Sequence, residues 1–469
     1  MIISVLLLTP LLLSVFLVLI KSKMLNRYGI IVYSLMYFIG SISLCVKPQG
    51  FDPYFRVDSL NIVFLLVLAF VYLGVSFYVF SFLKHADVSV KWHTYYSASF
   101  LLFVFSMTGV ILSSHLGLLW VFVEATTLSS AILIYFEKSK SALEAVWKYI
   151  FICSIGIALA FVGIILLSIG TGTLNSLFFE DLYKHAGLID PFWLKLAFVF
   201  ILVGLGTKMG LAPVHAWLPD AHSEAPSGVS AMLSGTLLNA AFLGILRVFK
   251  IMELANIDYY PKVLLIIMGF LSLFVSVVFI IKAKNYKRML AYSSIENMGI
   301  VALGVGIGGV GLFAAMLHMV AHSFTKAAFF LTSGNILHRF KTKEISKVGG
   351  VLIKDPVTGW LWILCFIGIA GLPPFPMFLS EFLMVKAIFQ QGHIFLMILF
   401  FILLTIIIYG IGSSVFSMSF GREMDNISNK RFGVLEYMPQ ILFLIILFVL
   451  GIFMPDSIMN LLKAAAENI

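Results

Sequence analysis

The chain has 469 residues, of which 61% are hydrophobic, 15% aromatic and only 11% charged, with a mean hydropathy of +1.06. A soluble domain carries roughly 45–50% apolar and 25% charged residues, so a water-soluble globule is excluded and the bilayer is the solvent. The net charge of +9, from 31 Lys and Arg against 22 Asp and Glu, does not point to nucleic acid, because the basic residues sit mainly in short loops between apolar runs.

Taken in chain order, the first apolar run, 2–20, is followed rather than preceded by Lys21, Lys23 and Arg27. That order is wrong for a cleavable signal peptide and predicts a retained span. Further runs follow at 28–46, 58–82, 95–113, 115–136, 146–170, 192–213, 226–250, 262–281, 288–307, 310–337, 357–390, 393–419 and 434–460. By the criterion of about 20 residues per crossing these predict about 14 spans, with both chain ends on one side. Of the Lys and Arg residues near span ends, 20 fall in odd-numbered loops, Lys430 and Arg431 among them, and 8 on the opposite face. The positive-inside rule then places the odd loops in the cytoplasm and both termini outside. Cys45, Cys153 and Cys365 lie singly in separate apolar runs with no C-x-x-C, a pattern without a recognisable disulfide framework, zinc ribbon or iron–sulfur run.

Two spans are interrupted. GLGTKMGLAPVHAWLPDAHSEAP places Pro213, Pro219 and Pro226 after Lys208, and GIAGLPPFPMFLSEFLMVKA places Pro373, Pro374 and Pro376 before Glu381. Proline removes a backbone donor and clashes with the preceding turn, so both helices are expected to break. Unwound backbone at membrane depth is tolerated only where protein or a water-filled cavity covers it. The breaks fall in the seventh and twelfth spans, five apart, as two inverted five-helix units over spans 4–8 and 9–13 require. The expected organisation is a three-helix segment (1–94), a first unit (95–250), a second, inverted unit (262–419) and a C-terminal helix (420–469).

Charges within the spans are the candidate site. Glu124 lies near the middle of WVFVEATTLSSAILIYF, and intramembrane acids tend to mark ion paths. Lys208 sits where unwound carbonyls can hydrate an ammonium; the competing reading is a stem snorkelling to the interface. His318, His322 and Lys326, spaced i, i+4, i+8, drift roughly 80° while rising roughly 12 Å and form one polar stripe. Histidine titrates near neutrality, which suits a proton relay. Glu381 follows the second break, with Lys386 as its alternative ion-pair partner at a poor spacing. Glu296, eight residues after Arg288, is an auxiliary group expected nearer the cytoplasmic mouth. His215, Asp220, His222 and Glu224 lack metal-ligand spacing and read as an entry to the Lys208 region, with Trp217 anchoring it at the interface. Each central charge costs about 2.5–3.5 kcal/mol on insertion scales, so Glu124, Lys208, Lys326 and Glu381 unpaired would forfeit roughly 10–14 kcal/mol. They must pair, hydrate or neutralise.

The segments GTKMGLAPVHAWLPDAHSEAPSGVSAMLSG, KRMLAYSSIENMG, HSFTKAAFFLTSGNILH and GLPPFPMFLSEF together resemble the large antiporter-like subunits of respiratory complex I, Mrp cation/proton antiporters and membrane-bound hydrogenases. EATTLSS, SSIENMG and LLNAAFLGILR look most like the hydrogenase-4 and formate-hydrogenlyase branch, close to hydrogenase-4 component F. The resemblance implies an all-α protein of 14 spans, with two inverted repeats, broken seventh and twelfth helices and a central hydrophilic axis. By resemblance Glu124 is the fifth-helix glutamate, Lys208 the seventh-helix lysine, Lys326 the eleventh-helix lysine of a subset, and Glu381 the twelfth-helix acid. Where many members have an eighth-helix lysine this chain has Asn239. An amide cannot carry the proton, so the middle of the axis relies on water, His318 and His322, or Lys326.

The expected function is proton translocation within a prokaryotic inner-membrane hydrogenase or complex I-like oxidoreductase. Partner subunits would hold the nickel–iron, iron–sulfur or quinone chemistry, and no cofactor or metal is expected in this chain. The alternatives are an Mrp-type Na+/H+ antiporter subunit driven by gradients and a scaffold that has lost pumping.

Overall fold

A computed structural model describes residues 2–47, 53–174, 176–422 and 433–469; Lys430 and Arg431, used above for orientation, lie outside the described residues. The chain is helical nearly throughout. In order the helices are α1 (Ile2–Ile20), α2 (Lys23–Val46), α3 (Ser59–His85), α4 (Val90–Leu112), α5 (Leu116–Ile134), α6 (Lys140–Gly170), α7 (Phe179–Lys184), α8 (Pro191–Met209), α9 (Trp217–Glu224) and α10 (Ser227–Met232). After a π-helical turn, Leu233–Leu237, come α11 (Leu238–Leu254), α12 (Tyr259–Ile281), α13 (Tyr286–Ile307), α14 (Val310–Phe340), α15 (Val351–Lys354), α16 (Pro356–Ile369), α17 (Pro376–Gln390), α18 (Ile394–Phe420), α19 (Met438–Ile452) and α20 (Asp456–Glu467).

Local chemistry sets many of the helix starts. Asp58 and Asn61 form a reciprocal capping box at α3. Asp190 caps α8 with Pro191 in the first turn, and Asp355 does the same for α16 with Pro356, positions where proline loses no intrahelical bond. Asn285 caps α13 by accepting from the Lys287 and Arg288 amides. At its other end α8 stops at Gly210, whose φ of +82° is the left-handed C-terminal conformation glycine adopts without strain. That stop leaves Lys208 in the last turn, beside unwound chain.

Eleven helices among the described residues are long and apolar enough to cross a membrane, or twelve if α19 and α20, bent by 84°, count as one. This is fewer than the expected fourteen, for two physical reasons. The polar stripe of α14 lowers its hydropathy, and the broken twelfth span is divided between α16 and α17, each too short alone. Burial identifies the centre of the bundle. The most apolar stretches of α10–α11 and of α13 are 100% buried, against 33% for α1, α2 and α18 and 39% for α6 and α12. The former are enclosed by other helices, whereas the latter present a wide apolar face outward. α14 packs against α3, α10, α13, α16, α17, α19 and α20, which places it inside the bundle between early and late helices of the chain.

Contacts between connecting segments sort by parity. Loops two, four and six meet through Phe55 with Ser113 and His115 with Phe178. The broken segment after α8 meets the fifth, ninth and eleventh loops, through Glu224 with Ser141 and Lys343 and Asp220 with Arg288. Odd-numbered connections thus gather on one face and even-numbered ones on the other.

Candidate functional site

The Lys208 ammonium is fully buried and turned inward, not snorkelling. It donates to Thr127 Oγ1 at 2.8 Å and Tyr149 Oη at 2.7 Å, and lies 4.6 Å from the Tyr149 ring centroid. Tyr149 Oη also pairs with Ser130 Oγ at 2.6 Å. Thr127 and Ser130 stand three residues apart on α5, so one helix face supplies both. Three residues earlier on that face is Glu124, half-buried, which accepts from Ser154 Oγ at 3.0 Å. Its second oxygen is buried without a hydrogen-bond partner. The lysine is therefore held by hydroxyls and an aromatic face, with Glu124 acting on it electrostatically. Hydroxyls can hold the ammonium without fixing its charge as a paired carboxylate would.

Trp217 is not an interfacial anchor. It is fully buried, its indole donates to the Thr207 carbonyl at 2.7 Å, and its ring lies 5.0 Å from that of Tyr149. The segment around it divides. Asp220 pairs with Lys148 and Arg288, and Glu224 with Lys343. His215 is half-buried with Nδ1 unpartnered. His222 is fully buried and stacked on Phe330, 4.8 Å between ring centroids and 15° between planes.

At the centre, polar atoms lack protein partners. Both ring nitrogens of His222, both of His322, and Asn239 Oδ1 are buried without a hydrogen bond. The Ser234 carbonyl of the π-turn faces His322 outside hydrogen-bonding geometry. Asn239 donates through Nδ2 to the Gly235 carbonyl at 2.9 Å and to Ser323 Oγ of α14 at 2.7 Å. Unmet polar atoms of this kind are costly in a dry interior and ordinary where water is held.

Lys326 donates to the Leu290 carbonyl at 2.9 Å and interacts electrostatically with Glu296. Glu296 is not at a mouth: it is 2% exposed and accepts from Ser293 Oγ at 3.2 Å and Asn297 Nδ2 at 3.4 Å. Its helix is enclosed on every side, so eight residues from Arg288 lead to the interior. His318 bonds Ser380 Oγ at 2.9 Å and Asn297 Oδ1 at 3.0 Å. His318, His322 and Lys326 share α14 as expected, but no direct hydrogen bond links them.

Glu381 is buried in the second turn of α17, its carboxyl folded over Gly371 in the break. Gly371 has φ +61°, and a Cβ there would collide with Glu381 Oε2. Lys386 is exposed, and no ion pair joins it to Glu381 among the described residues.

Two basic groups near span ends are buried. Arg247, 5% exposed, pairs with Asp58 at 2.6 Å. Lys287, 1% exposed, donates to the Ala225 carbonyl at 2.5 Å. A cavity of about 700 Å³ opens on the odd-loop face beside Glu137, Ser227, Gly334, His338 and Glu436. One of about 530 Å³ opens on the even-loop face beside Arg56, Asp58, Glu180 and Arg247.

Known proteins share this sequence and architecture. Residues 113–408 match the family model described as NADH:quinone oxidoreductase/Mrp antiporter, transmembrane. The chain is 35% identical to a hydrogenase-4 component F homolog of Methylacidiphilum infernorum, covering 91% of each chain. It is 30% identical to Na(+)/H(+) antiporter subunit A1 of Staphylococcus haemolyticus, over 74% of this chain but only 44% of that relative. The fold superimposes on a chain of an archaeal membrane-bound sulfane sulfur reductase with a TM-score of 0.89 at 25% identity, covering 100% of this chain and 97% of the other. It also matches a chain of the Mrp complex from Dietzia sp. with a TM-score of 0.89 at 18% identity, covering 99% and 96%. The chain belongs to the NADH:quinone oxidoreductase/Mrp antiporter transmembrane family.

Proposed function

We propose that the chain is a proton-translocating subunit of a membrane-bound hydrogenase or related oxidoreductase complex, moving protons along the buried file from Glu124 through Lys208, the hydrated centre and Lys326 to Glu381. The observation that carries the proposal is the buried set itself. Two lysines and two glutamates beyond Glu124 are buried within the helical bundle, alongside polar atoms that lack protein partners. Charges there cost several kcal/mol each unless they are hydrated or neutralised, and they mark proton relays.

In this reading Lys208 takes a proton and its charge biases Glu124 and the groups beyond it. Water around His222, Asn239 and His322 bridges the gap where the amide cannot carry a proton. Lys326 and Glu296 pass the bias to Glu381 at the second break. The two breaks lie in corresponding helices of two inverted five-helix units, 95–250 and 262–419. The odd-loop face is cytoplasmic and both termini lie outside, in a prokaryotic inner membrane. Moving one charge against 100 mV requires about 2.3 kcal/mol, which we assign to nickel–iron, iron–sulfur or quinone chemistry in partner subunits.

The test is redox-driven proton uptake by the reconstituted complex carrying Lys208→Ala or Glu124→Gln. Loss of coupled uptake in either supports the file, and full retention in both removes it. Sodium-dependent proton flux in vesicles holding this chain without redox subunits would instead favour the antiport activity named for the staphylococcal relative.

A further inference from the structure

The hydrogen bonds around His318 restrict where its proton can move. Asn297 Nδ2 donates to the Ser293 carbonyl at 2.6 Å, so the amide cannot be reversed without setting two oxygens against each other. Asn297 Oδ1 consequently faces His318 Nε2 at 3.0 Å as a permanent acceptor, and Nε2 keeps its hydrogen in every state. Only Nδ1 can change protonation. Its partner is Ser380 Oγ at 2.9 Å, and that hydroxyl also reaches the Met377 carbonyl at 2.7 Å. A serine has one proton to give. When His318 is neutral the hydroxyl must donate to Nδ1, and when it is charged Nδ1–H donates to Oγ and the hydroxyl turns to Met377.

We propose that His318 is a proton-loading site served through the Ser380 hydroxyl alone, and not a link that passes protons along α14. An imidazole relays only by taking a proton on one nitrogen and releasing it from the other, and Asn297 closes one of the two. Loading is a paired transfer. A proton arrives on Ser380 Oγ from water or a carboxyl on the α17 side as the hydroxyl's own proton moves to Nδ1, which leaves an imidazolium and an intact hydroxyl. Release reverses both steps. The titratable groups around the ring are His322 one turn along α14, Glu296 on α13 beside Asn297, and Glu381 next to Ser380 on α17. His318 therefore acts on the Lys326 and Glu296 side through its charge, while its proton comes and goes on the side of the second break. This rests on the proposed translocating role and assigns within it which nitrogen, hydroxyl and helix load the proton.

The direct test is solid-state 15N NMR of the histidine-labelled full chain in lipid bilayers, with His318→Gln identifying the resonance. The expected result is neutral His318 with hydrogen on Nε2, and a proton gained only at Nδ1 as pH falls. A neutral form carrying hydrogen on Nδ1 overturns the assignment. In the reconstituted complex, Ser380→Ala should remove the same fraction of redox-driven proton uptake, with the same change in pH profile, as His318→Gln. The double variant should lose no more, and Ser380→Thr should restore it. Uptake and a pH profile unchanged in Ser380→Ala, while Lys208→Ala abolishes uptake, refutes the loading site and leaves the translocating role standing. Retention in all of them removes the role itself.

Discussion

Tyr149→Phe isolates the hydroxyl contribution at Lys208. The ring stays, and with it the 4.6 Å approach of the ammonium and the packing on Trp217. The hydroxyl that accepts from Nζ at 2.7 Å is lost, leaving Thr127 Oγ1 as the remaining hydrogen-bond acceptor. Ser130 keeps its bond to the Thr126 carbonyl at 2.6 Å, so little else is disturbed. A hydrogen bond to a charged group contributes about 1.5–3 kcal/mol, which alters the equilibrium for charging Lys208 by a factor of about 10 to 150. If charging lies on the path, redox-driven proton uptake in proteoliposomes falls by that order at constant electron transfer. The assay pairs an entrapped pH dye with the rate of substrate oxidation. Uptake within about threefold of wild type, roughly 0.7 kcal/mol by the same relation, with the complex intact, would refute the placement of Lys208 on the path.

Asn239→Leu replaces the amide whose Oδ1 is unpartnered with an apolar group of similar size. It also removes the Nδ2 bonds to the Gly235 carbonyl and Ser323 Oγ, so it should cost about 1–3 kcal/mol of stability, dry the centre and abolish proton uptake in the complex that still assembles; undiminished uptake would show that the path avoids this point. Gly371→Ala places a side chain at φ +61°, a cost of roughly 1–2 kcal/mol, and pushes the Glu381 carboxyl away. Both a lower thermal unfolding temperature in detergent and reduced uptake are expected, and an unchanged unfolding temperature would contradict the left-handed geometry. On the even-loop face Lys184, and after it Arg56, hold the Glu180 carboxyl below its ordinary value. A carboxylate lowered by folding contributes above its unfolded pKa and loses that contribution as pH falls through the folded one. Glu180→Gln should thus lower the unfolding temperature slightly near neutral pH and make no difference in strong acid; a loss that persists in acid would refute the ion-pair origin.

Much of this site is legible along the chain because charge inside an apolar run and proline inside a helix are local signals. Lys208, Lys326, His318, His322 and both breaks stand out for that reason. What neighbouring helices do to those groups is not a local signal. The residues that hold Lys208 come from α5 and α6, and nothing in the spacing of Thr127 or Tyr149 announces that they converge on α8. Glu296 reads as a mouth residue by its distance from Arg288, but α13 is enclosed all round, and depth along a helix does not reveal what surrounds it. Arg247 and Lys287 lie near span ends, where basic residues read as loop charges, yet both are buried and paired with Asp58 and the Ala225 carbonyl of other segments. The α14 stripe illustrates the limit. Its three polar groups do share a helix face, but the hydrogen-bond partners of His318 and Lys326 lie on α13 and α17 and His322 has none, so the stripe is not a continuous wire.

The central claim is that the interior between Lys208 and Lys326 holds water. A high-resolution density map of the complex in lipid nanodiscs tests it most directly. The account predicts ordered water within hydrogen-bonding distance of His222, His322 and Asn239 Oδ1, connecting the Lys208 hydroxyl cluster to Lys326. Closely packed apolar side chains at those atoms, with no water density between the two lysines, would contradict it.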